Sequence, residues 1–297
     1  RPSIKPSSLN AYLISLRKLN NNEKIENLNY LKDDKAVFEK IDKLALSTKR
    51  AYLTAVLVVL GAFKKEEFNS VLEKYRKRLQ DFNNEYNDKV NSHEKTEKQS
   101  KNWTSLKQLN KVRNFYKKEL EEKSILKKEK LNRKEFDTLQ KYVVSALYTL
   151  QPPIRLDYGN MEVINSKKDD DGKKNYLLNK GRNKKSFIFN DFKNKKSMGK
   201  REIEINSKMN SIINLWLKHN KSKNFLLNSK GEIMNENALS KYIKKVFAPS
   251  KKDITLNLIR HIYISENIDL EAMKKQKKLA DDMLHSAEQQ VDYAKKD

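Results

Sequence analysis

The chain has 297 residues, with 64 Lys+Arg against 39 Asp+Glu, a formal net charge of +25 and a sequence pI near 9.8. That length holds two domains at roughly 100–200 residues each. The charge selects a polyanionic partner, most simply nucleic acid, because a phosphate backbone gives salt-dependent affinity to any basic groove, and the absence of cysteine excludes disulfides, zinc knuckles and thiol catalysis.

Lysine and asparagine are abundant along the whole chain, so nucleotide bias on solvated faces competes as a source of the charge. An acidic membrane surface is the rival polyanion. The sequence lacks a lipid-binding helix, and no apolar run is expected to reach the ~18–20 residues of a membrane span, so no membrane partner is expected. There is no secretory signal, and an opening on Arg1 rather than Met reads as a fragment or trimmed form of a longer protein. An intracellular, reducing setting suits the composition.

With only 6 Gly and 5 Pro, long segments of 3.6 period predict a mainly α protein. "KPSSLNAYLISLRKL" predicts a helix with Ser7 or Ser8 as N-cap and Leu9, Tyr12, Leu13 and Leu16 on one face. "LSTKRAYLTAVLVVLGAF" predicts a second, capped near Ser47 with Gly61 near its end. "KKEEFNSVLEKYRKRLQDFNNEYNDKV" predicts a long third helix with a basic outer face. These make a helical unit over residues 1–90. "NSHEKTEKQSKNW" has little apolar content and reads as a linker, over 91–102. The second unit, 103–297, opens with helices over 104–121 and 133–150, the latter stopped by "QPP". The period then changes. "MEVI", "NYLL", "SFIFNDF" and "REIEI" are short β-branched or aromatic runs that predict a small antiparallel sheet, making the fold class α+β. "KKDDDGKK" reads as a solvated turn between strands. Helices resume at "SKMNSIINLWLKH", "NENALSKYIKKVF", "TLNLIRHIYISE" and the closing "LADDMLHSAEQQVDYAKKD".

A few polar residues sit where chemistry is possible. Arg155 follows "QPP" at a helix-to-strand junction, with Asp157 two residues on. Lys193 stands where a hairpin turns through "KNKKSMG". Arg260 lies inside the apolar frame of "LNLIRHIYI", where an unpaired arginine is rarely buried. His285 and Tyr293 close the chain. They are eight apart, some 80° around a continuous helix at ~3.6 residues per turn, so a bend or break between Ser286 and Tyr293 is expected if they serve one site. Taken singly, each residue has a structural explanation, such as an Arg155–Asp157 pair.

In order, an arginine, a hairpin lysine, a helical arginine, a histidine and a terminal tyrosine, the set resembles the tyrosine recombinase (phage integrase) family. "YTLQPPIRLDYGNM" looks like its first-arginine box, in the form seen in integrases of large eukaryotic DNA viruses and related mobile elements. "FNDFKNKKSMGKREIEI" resembles the lysine hairpin, "LIRHIYIS" the second-arginine box, and "LADDMLHSAEQQVDY" the "LGHS…Y" box. "RPSIKPSSLNAYLISLRKL" is similar to the family's helical core-binding domain, so the resemblance spans nearly the whole chain. It implies a SAM-like core-binding domain followed by a catalytic domain, clamped around duplex DNA.

The resemblance also implies a reaction: cleavage and rejoining of DNA strands through a covalent 3′-phosphotyrosyl link. Arg155 and Arg260 would hold the non-bridging oxygens of the phosphorane-like state bidentately, with Asp157 orienting Arg155. Lys193 would protonate the leaving 5′-oxygen, with Lys195 and Lys196 as alternatives in the hairpin. His285 would bond the scissile phosphate or assist proton transfer. Tyr293 would attack, aided by a cationic surround. Lys5, Lys49, Arg50, Lys195 and Lys196 would contact DNA phosphates. No cofactor or metal is implied. The implied partners are a specific duplex site and further copies of the chain: a tetramer on DNA, a monomer or dimer when free. The location would be wherever the target DNA resides, whether host nucleus, cytoplasm or viral factory.

The pattern departs from the family in three places. Asn257 stands where a histidine usually precedes the second arginine by three, and can donate to phosphate but not shuttle a proton. His261, beside Arg260, matches a common neighbour with a structural role. The His285–Tyr293 interval is one residue shorter than usual, and only four residues follow Tyr293. Two other readings share these residues: DNA relaxation of the type IB topoisomerase kind, and a DNA-binding protein that has kept the fold without the chemistry.

Overall fold

The structure, a computed structural model, describes residues 4, 6–63, 66–182 and 184–293, without the side chains of Val291 and Asp292. The chain divides into two compact units, Arg1–Lys95 and Thr96–Asp297. Their boundary falls inside the stretch expected as a linker. That stretch is not wholly irregular, because Thr96 and Gln99 form a reciprocal capping box that starts a short helix there.

The first unit contains α1 (Pro6–Leu19), α2 (Asp34–Asp42), α3 (Leu46–Phe63) and α4 (Asn69–Asn91). α1 begins at Pro6, so Ser7 and Ser8 lie inside its first turn instead of capping it; proline suits that position because its missing N–H would have no helical partner. Its buried face runs through Ser15, Leu16 and Leu19, whereas Leu9 and Leu13 are exposed. Of the expected stripe, Leu16 is buried and Tyr12 packs against the core, whereas the Leu9 and Leu13 half is uncovered. α3 packs against α1, α2 and α4, burying Tyr52, Leu53, Ala55, Val56 and Leu60. It also corrects the expectation on apolar runs, since its 18 residues, with a mean hydropathy of 1.3, have the length and composition of a membrane span. In this fold it is the central helix of the unit. Lys49 and Arg50 in α3 are engaged with α4. The Lys49 ammonium lies 5.3 Å from the Phe82 ring centre, and Arg50 stacks 3.9 Å from that of Tyr86 while its Nε donates to Asn83 Oδ1 at 2.7 Å. Lys5 lies outside the described residues.

The second unit runs through α5 (Glu97–Asn102), α6 (Leu106–Glu122) and α7 (Arg133–Leu147), then β1 (Glu162–Ile164), β2 (Tyr176–Asn179), β3 (Lys185–Phe189), α8 (Lys195–Met198) and β4 (Arg201–Glu204). It ends with α9 (Ser207–His219), α10 (Glu236–Val246), α11 (Leu256–Asn267), α12 (Leu270–Asp282) and α13 (Ala287–Tyr293). The fold is α+β, mainly helical. The four-stranded sheet has the order β1-β2-β3-β4. It is mixed, not antiparallel: β2 pairs antiparallel with β3 and β3 with β4, but β1 runs parallel to β2. Residues 165–175 make the crossover that a parallel pair requires, and they contain "KKDDDGKK". That segment is not a freely solvated turn. It holds a 3-10 turn at Lys167–Asp169, and the Asp170 side chain is only 5% exposed.

β3 is buried along its length, Lys185 included. The Lys185 ammonium is satisfied by Gly181 O at 2.7 Å, Arg182 O at 3.2 Å and Asn214 Oδ1 at 2.6 Å. β4, the outer strand, is exposed and carries Arg201, Glu202 and Glu204, charges that discourage edge pairing. The core joins α6, α7, α9, α10 and α11 to β2 and β3. Its polar tips are paired: Trp216 Nε1 donates to Phe225 O at 2.8 Å and Tyr116 Oη to Val246 O at 2.7 Å.

Between α7 and β1, "PIRLDYGN" turns across the N-terminus of α10. Asn160 N donates to Met234 O at 2.9 Å, and a Cβ on Gly159 would come within 2.8 Å of Glu236 N and 2.9 Å of Glu236 Cα. Glycine is required there by backbone approach alone. Gly159→Ala should therefore cost about 1–3 kcal/mol, read as a shifted urea midpoint. An unchanged midpoint would show that the α10 N-terminus gives way freely.

Candidate functional site

The first-arginine turn is built from the inside out. Ile154 and Leu156 pack on the core, Tyr158 is fully buried, and Arg155 between them is exposed. Tyr148, at the end of α7 and also fully buried, donates its hydroxyl to Arg155 O at 3.1 Å. Burial raises the Tyr148 hydroxyl well above the usual tyrosine range, assisted by Tyr158 and Asp157 and opposed by Arg260, so it remains a donor. Tyr158 bonds the Gln151 amide and packs edge-on against Phe187, with ring centres 5.0 Å apart, and against Phe189 at 6.0 Å. The turn is thereby fixed to β3, the strand that leads into the lysine segment.

Arg260 comes from α11, far along the chain. Thr255 caps that helix, Leu258, Ile259 and Ile262 are buried, and Arg260 is half-buried at the edge of this apolar face. Burial lowers the Arg260 guanidinium below its ordinary range. Repulsion from Arg155 adds to this, while Asp157 and Tyr148 oppose it. It stays charged, since arginine does not deprotonate in proteins. The Asp157 carboxyl is raised by burial first and by Asp191, against the pull of its own backbone N–H and of Arg155 and Arg260. Arg155, Asp157, Arg260 and Asp191 are thus one electrostatic cluster. Among the described residues, however, neither arginine has a carboxylate within 4.0 Å. The expected orienting bond from Asp157 to Arg155 is not formed.

Lys193 is exposed in the segment joining β3 to β4, with Lys195 and Lys196 in the single turn of α8. The turn of Arg155 and the start of this segment meet at one side chain, Asn175. Its Nδ2 donates to Asp157 O at 3.1 Å and Asp191 O at 2.8 Å, and its Oδ1 accepts from Asn190 N and Asp191 N, each at 2.9 Å. Sequence reasoning missed Asn175. In a chain full of asparagine, the only available signal was its place directly before a buried strand instead of within a turn. Asn257 and His261 are exposed on α11, and Asn257 lies one turn before Arg260.

His285 and Tyr293 form a second group. α12 ends with Leu284 N donating to Asp281 O at 3.1 Å and His285 N to Ala280 O at 3.0 Å, the Schellman pattern, and Leu284 takes φ 57°. Leucine thus stands in a left-handed position, where the resembling "LGHS" box has glycine. Ser286 then caps α13: its Oγ accepts from Gln289 N at 3.3 Å, and its N donates to Gln289 Oε1 at 3.2 Å. The break therefore falls at Met283–Ser286, earlier than expected, and α13 is continuous to Tyr293. Because His285 precedes the cap, its side chain need not follow the helical period. Its ring lies 5.7 Å from that of Tyr293, tilted by 40°. His285 Nδ1 is 3.1 Å from Ser286 O, and Nε2 is enclosed without a partner. In the tautomer with Nδ1–H donating to that carbonyl, Nε2 is a free acceptor. Tyr293 is 73% exposed, the exposure a nucleophile needs to reach a macromolecular substrate.

Hydrogen bonds through Asn175 join the Arg155 turn, at Asp157, to the start of the lysine segment; Arg260 is coupled to that turn by charge alone, and a ring contact separately joins His285 to Tyr293. No hydrogen bond or ion pair among the described residues links the two groups. In comparisons with known proteins, the chain matches no family model and no curated protein.

Two outcomes test this geometry. Leu284→Gly removes a left-handed leucine strained by roughly 1–2 kcal/mol, so α12–α13 should gain protection in hydrogen exchange; a loss would show that Leu284 is held by packing. Asp157→Asn removes a carboxylate whose folded value is raised. Such a group disfavours the native state increasingly as pH climbs from its unfolded value through its folded one. The variant should therefore melt at or above wild type at pH 7, with the difference vanishing in acid below the unfolded value. A lower melting temperature at pH 7 would mean that the arginines depend on that charge.

Proposed function

We propose that the chain is a tyrosine-type DNA strand transferase, acting as a site-specific recombinase or integrase with Tyr293 as nucleophile. One observation carries the reading: Arg155 and Arg260, from distant parts of the sequence, are flanked by Ile154, Leu156, Leu258 and Ile259 of one apolar core, and among the described residues neither has a carboxylate within 4.0 Å. Such a pair is complementary to a dianionic or trigonal-bipyramidal phosphate, and most of its value appears when charge develops on the non-bridging oxygens. The nearby lysine segment and the adjacent rings of His285 and Tyr293 support it.

In this mechanism the Tyr293 hydroxyl gives up its proton, to His285 Nε2 or to water, and its oxygen attacks the scissile phosphorus. The P–O5′ bond breaks, and the departing O5′ takes a proton from Lys193. A 3′-phosphotyrosyl link remains, and attack by a 5′-hydroxyl reverses the sequence, so the bond energy is kept for rejoining. Arg155 and Arg260 hold the two non-bridging oxygens throughout. The substrate is duplex DNA. Exchange between two sites would take several copies of the chain, as a tetramer.

A duplex nicked beside the cleavage position traps the intermediate, because the short 5′ strand diffuses away. Wild type should accumulate a covalent adduct that mass mapping assigns to Tyr293, and Tyr293→Phe should form none while binding equally well. Arg155→Ala or Arg260→Ala should slow adduct formation by on the order of 10²–10³-fold with a small loss of affinity. Binding without any wild-type adduct would leave a DNA-binding protein and sink the enzymatic reading.

A further inference from the structure

The segment that carries Lys193 is anchored at its start by buried asparagines and at its far end by an ion pair from the exposed Lys200 to the buried Asp170 side chain. At its start, Asn175 is 8% exposed and uses its whole hydrogen-bonding capacity on backbone: two carbonyls and two N–H groups, belonging to Asp157, Asn190 and Asp191. Asn190, 1% exposed, continues the chain of contacts, with Nδ2 donating to Lys174 O and to Asp170 Oδ1, each at 2.7 Å. The second oxygen of Asp170 pairs with Lys200, at the far end of the segment. Burial alone would raise the Asp170 carboxyl, but Lys200, the Gly172 N–H and Asn190 outweigh it and hold it below the usual range. Residues 192–199 lie between these anchors, with Lys193, Lys195 and Lys196 exposed.

We propose that Asn175, backed by Asp170 and Asn190, is a positioning residue that sets the lysine segment against the Arg155 turn. The role given to Lys193 rests on the strand-transfer reading above; the anchoring itself does not. A loop with a lysine general acid gains from such anchoring because proton transfer needs the ammonium within hydrogen-bond reach of the leaving oxygen. Asparagine suits the junction better than aspartate. A carboxylate would keep both acceptor bonds to Asn190 and Asp191 but would face the carbonyls of Asp157 and Asp191 with no proton to give.

The experiment has two arms. The first is hydrogen exchange on wild type, Asn175→Ala, Asn175→Asp and Asp170→Asn. Exchange at residues 190–200 should quicken by about tenfold in the two Asn175 variants, the effect of losing one typical hydrogen bond, while α7 and α11 keep their protection. Asp170→Asn should loosen the Lys200 end alone and serves as the test if Asn175→Ala does not fold. The second arm measures cleavage of the nicked duplex with either oxygen or sulfur at the scissile 5′ position. A thiolate departs without a proton, so a fault in placing the general acid disappears on the sulfur substrate. Asn175→Ala should slow cleavage of the oxygen substrate at least tenfold and that of the sulfur substrate little. Equal losses on both substrates, or unchanged exchange over 190–200, would overturn the proposal. If wild type formed no adduct on either substrate, the strand-transfer reading would fall and the exchange arm alone would decide the anchoring.

Discussion

Arg155 and Arg260, two like charges from distant parts of the sequence, are each placed by neutral structure of the second unit. Burial and then Arg155 depress Arg260, and Asp157, itself raised by burial, makes no ion pair with either among the described residues. Tyr148 binds the Arg155 carbonyl from the core, Tyr158 docks the turn on β3, and the backbone contact at Gly159 seats it on α10. On the other side, α11 holds Arg260 through a continuous apolar face. A carboxylate closed on the arginines would relieve their repulsion, and under the proposed function it would also compete with an incoming phosphate. Preorganisation of this kind is what makes charge stabilisation effective in a transition state, since nothing has to reorient when the charge appears.

Much of this was legible in the sequence because it depends on periodicity and on residue type. The change from helical to strand period after "QPP" located the sheet, and Arg260 stood out because an arginine inside an apolar frame has few structural uses. What could not be read depends on pairing over distance. The parallel β1–β2 pair leaves no mark on either strand; it follows from the crossover, whose buried Asp170 looks like any acid in a polar run. The face of α1 was misjudged for the same reason. Leu9 and Leu13 fit the period as well as Tyr12 and Leu16 do, and only the position of α3 decides which of the four are covered. Asn175 was hidden by composition. Its importance lies in four backbone partners, and a backbone partner has no sequence signature.

The closing segment shows a different limit. Helical geometry correctly said that residues eight apart do not stack, and a break was inferred. Its location was missed because Leu284 has no special licence for a left-handed turn. The reciprocal bonds of Ser286 and Gln289 start the new helix two residues after Leu284 has left helical backbone. In this way a capping signal, readable as Ser-x-x-Gln, identifies the break better than the spacing of His285 and Tyr293 does.

The two groups of residues are also held in place differently, and that difference bears on control. The arginine turn and the ends of the lysine segment are bonded into a buried network. By contrast, α12 buries only Ala280, and Gln276 Nε2 donates across to Ala287 O of α13 at 3.3 Å. Few buried contacts mean a low free energy for local rearrangement. In a strand transferase, a rigid phosphate clamp and a weakly attached nucleophile would separate recognition from attack. DNA could bind in full while Tyr293 is still free to approach or withhold, and anything that fixes α13 would then set the rate of cleavage without altering affinity. The exposed apolar residues Leu279, Met283 and Leu284 around the break are where such fixing would act most directly, because covering them would favour one arrangement of α12 and α13 over others by hydrophobic burial alone.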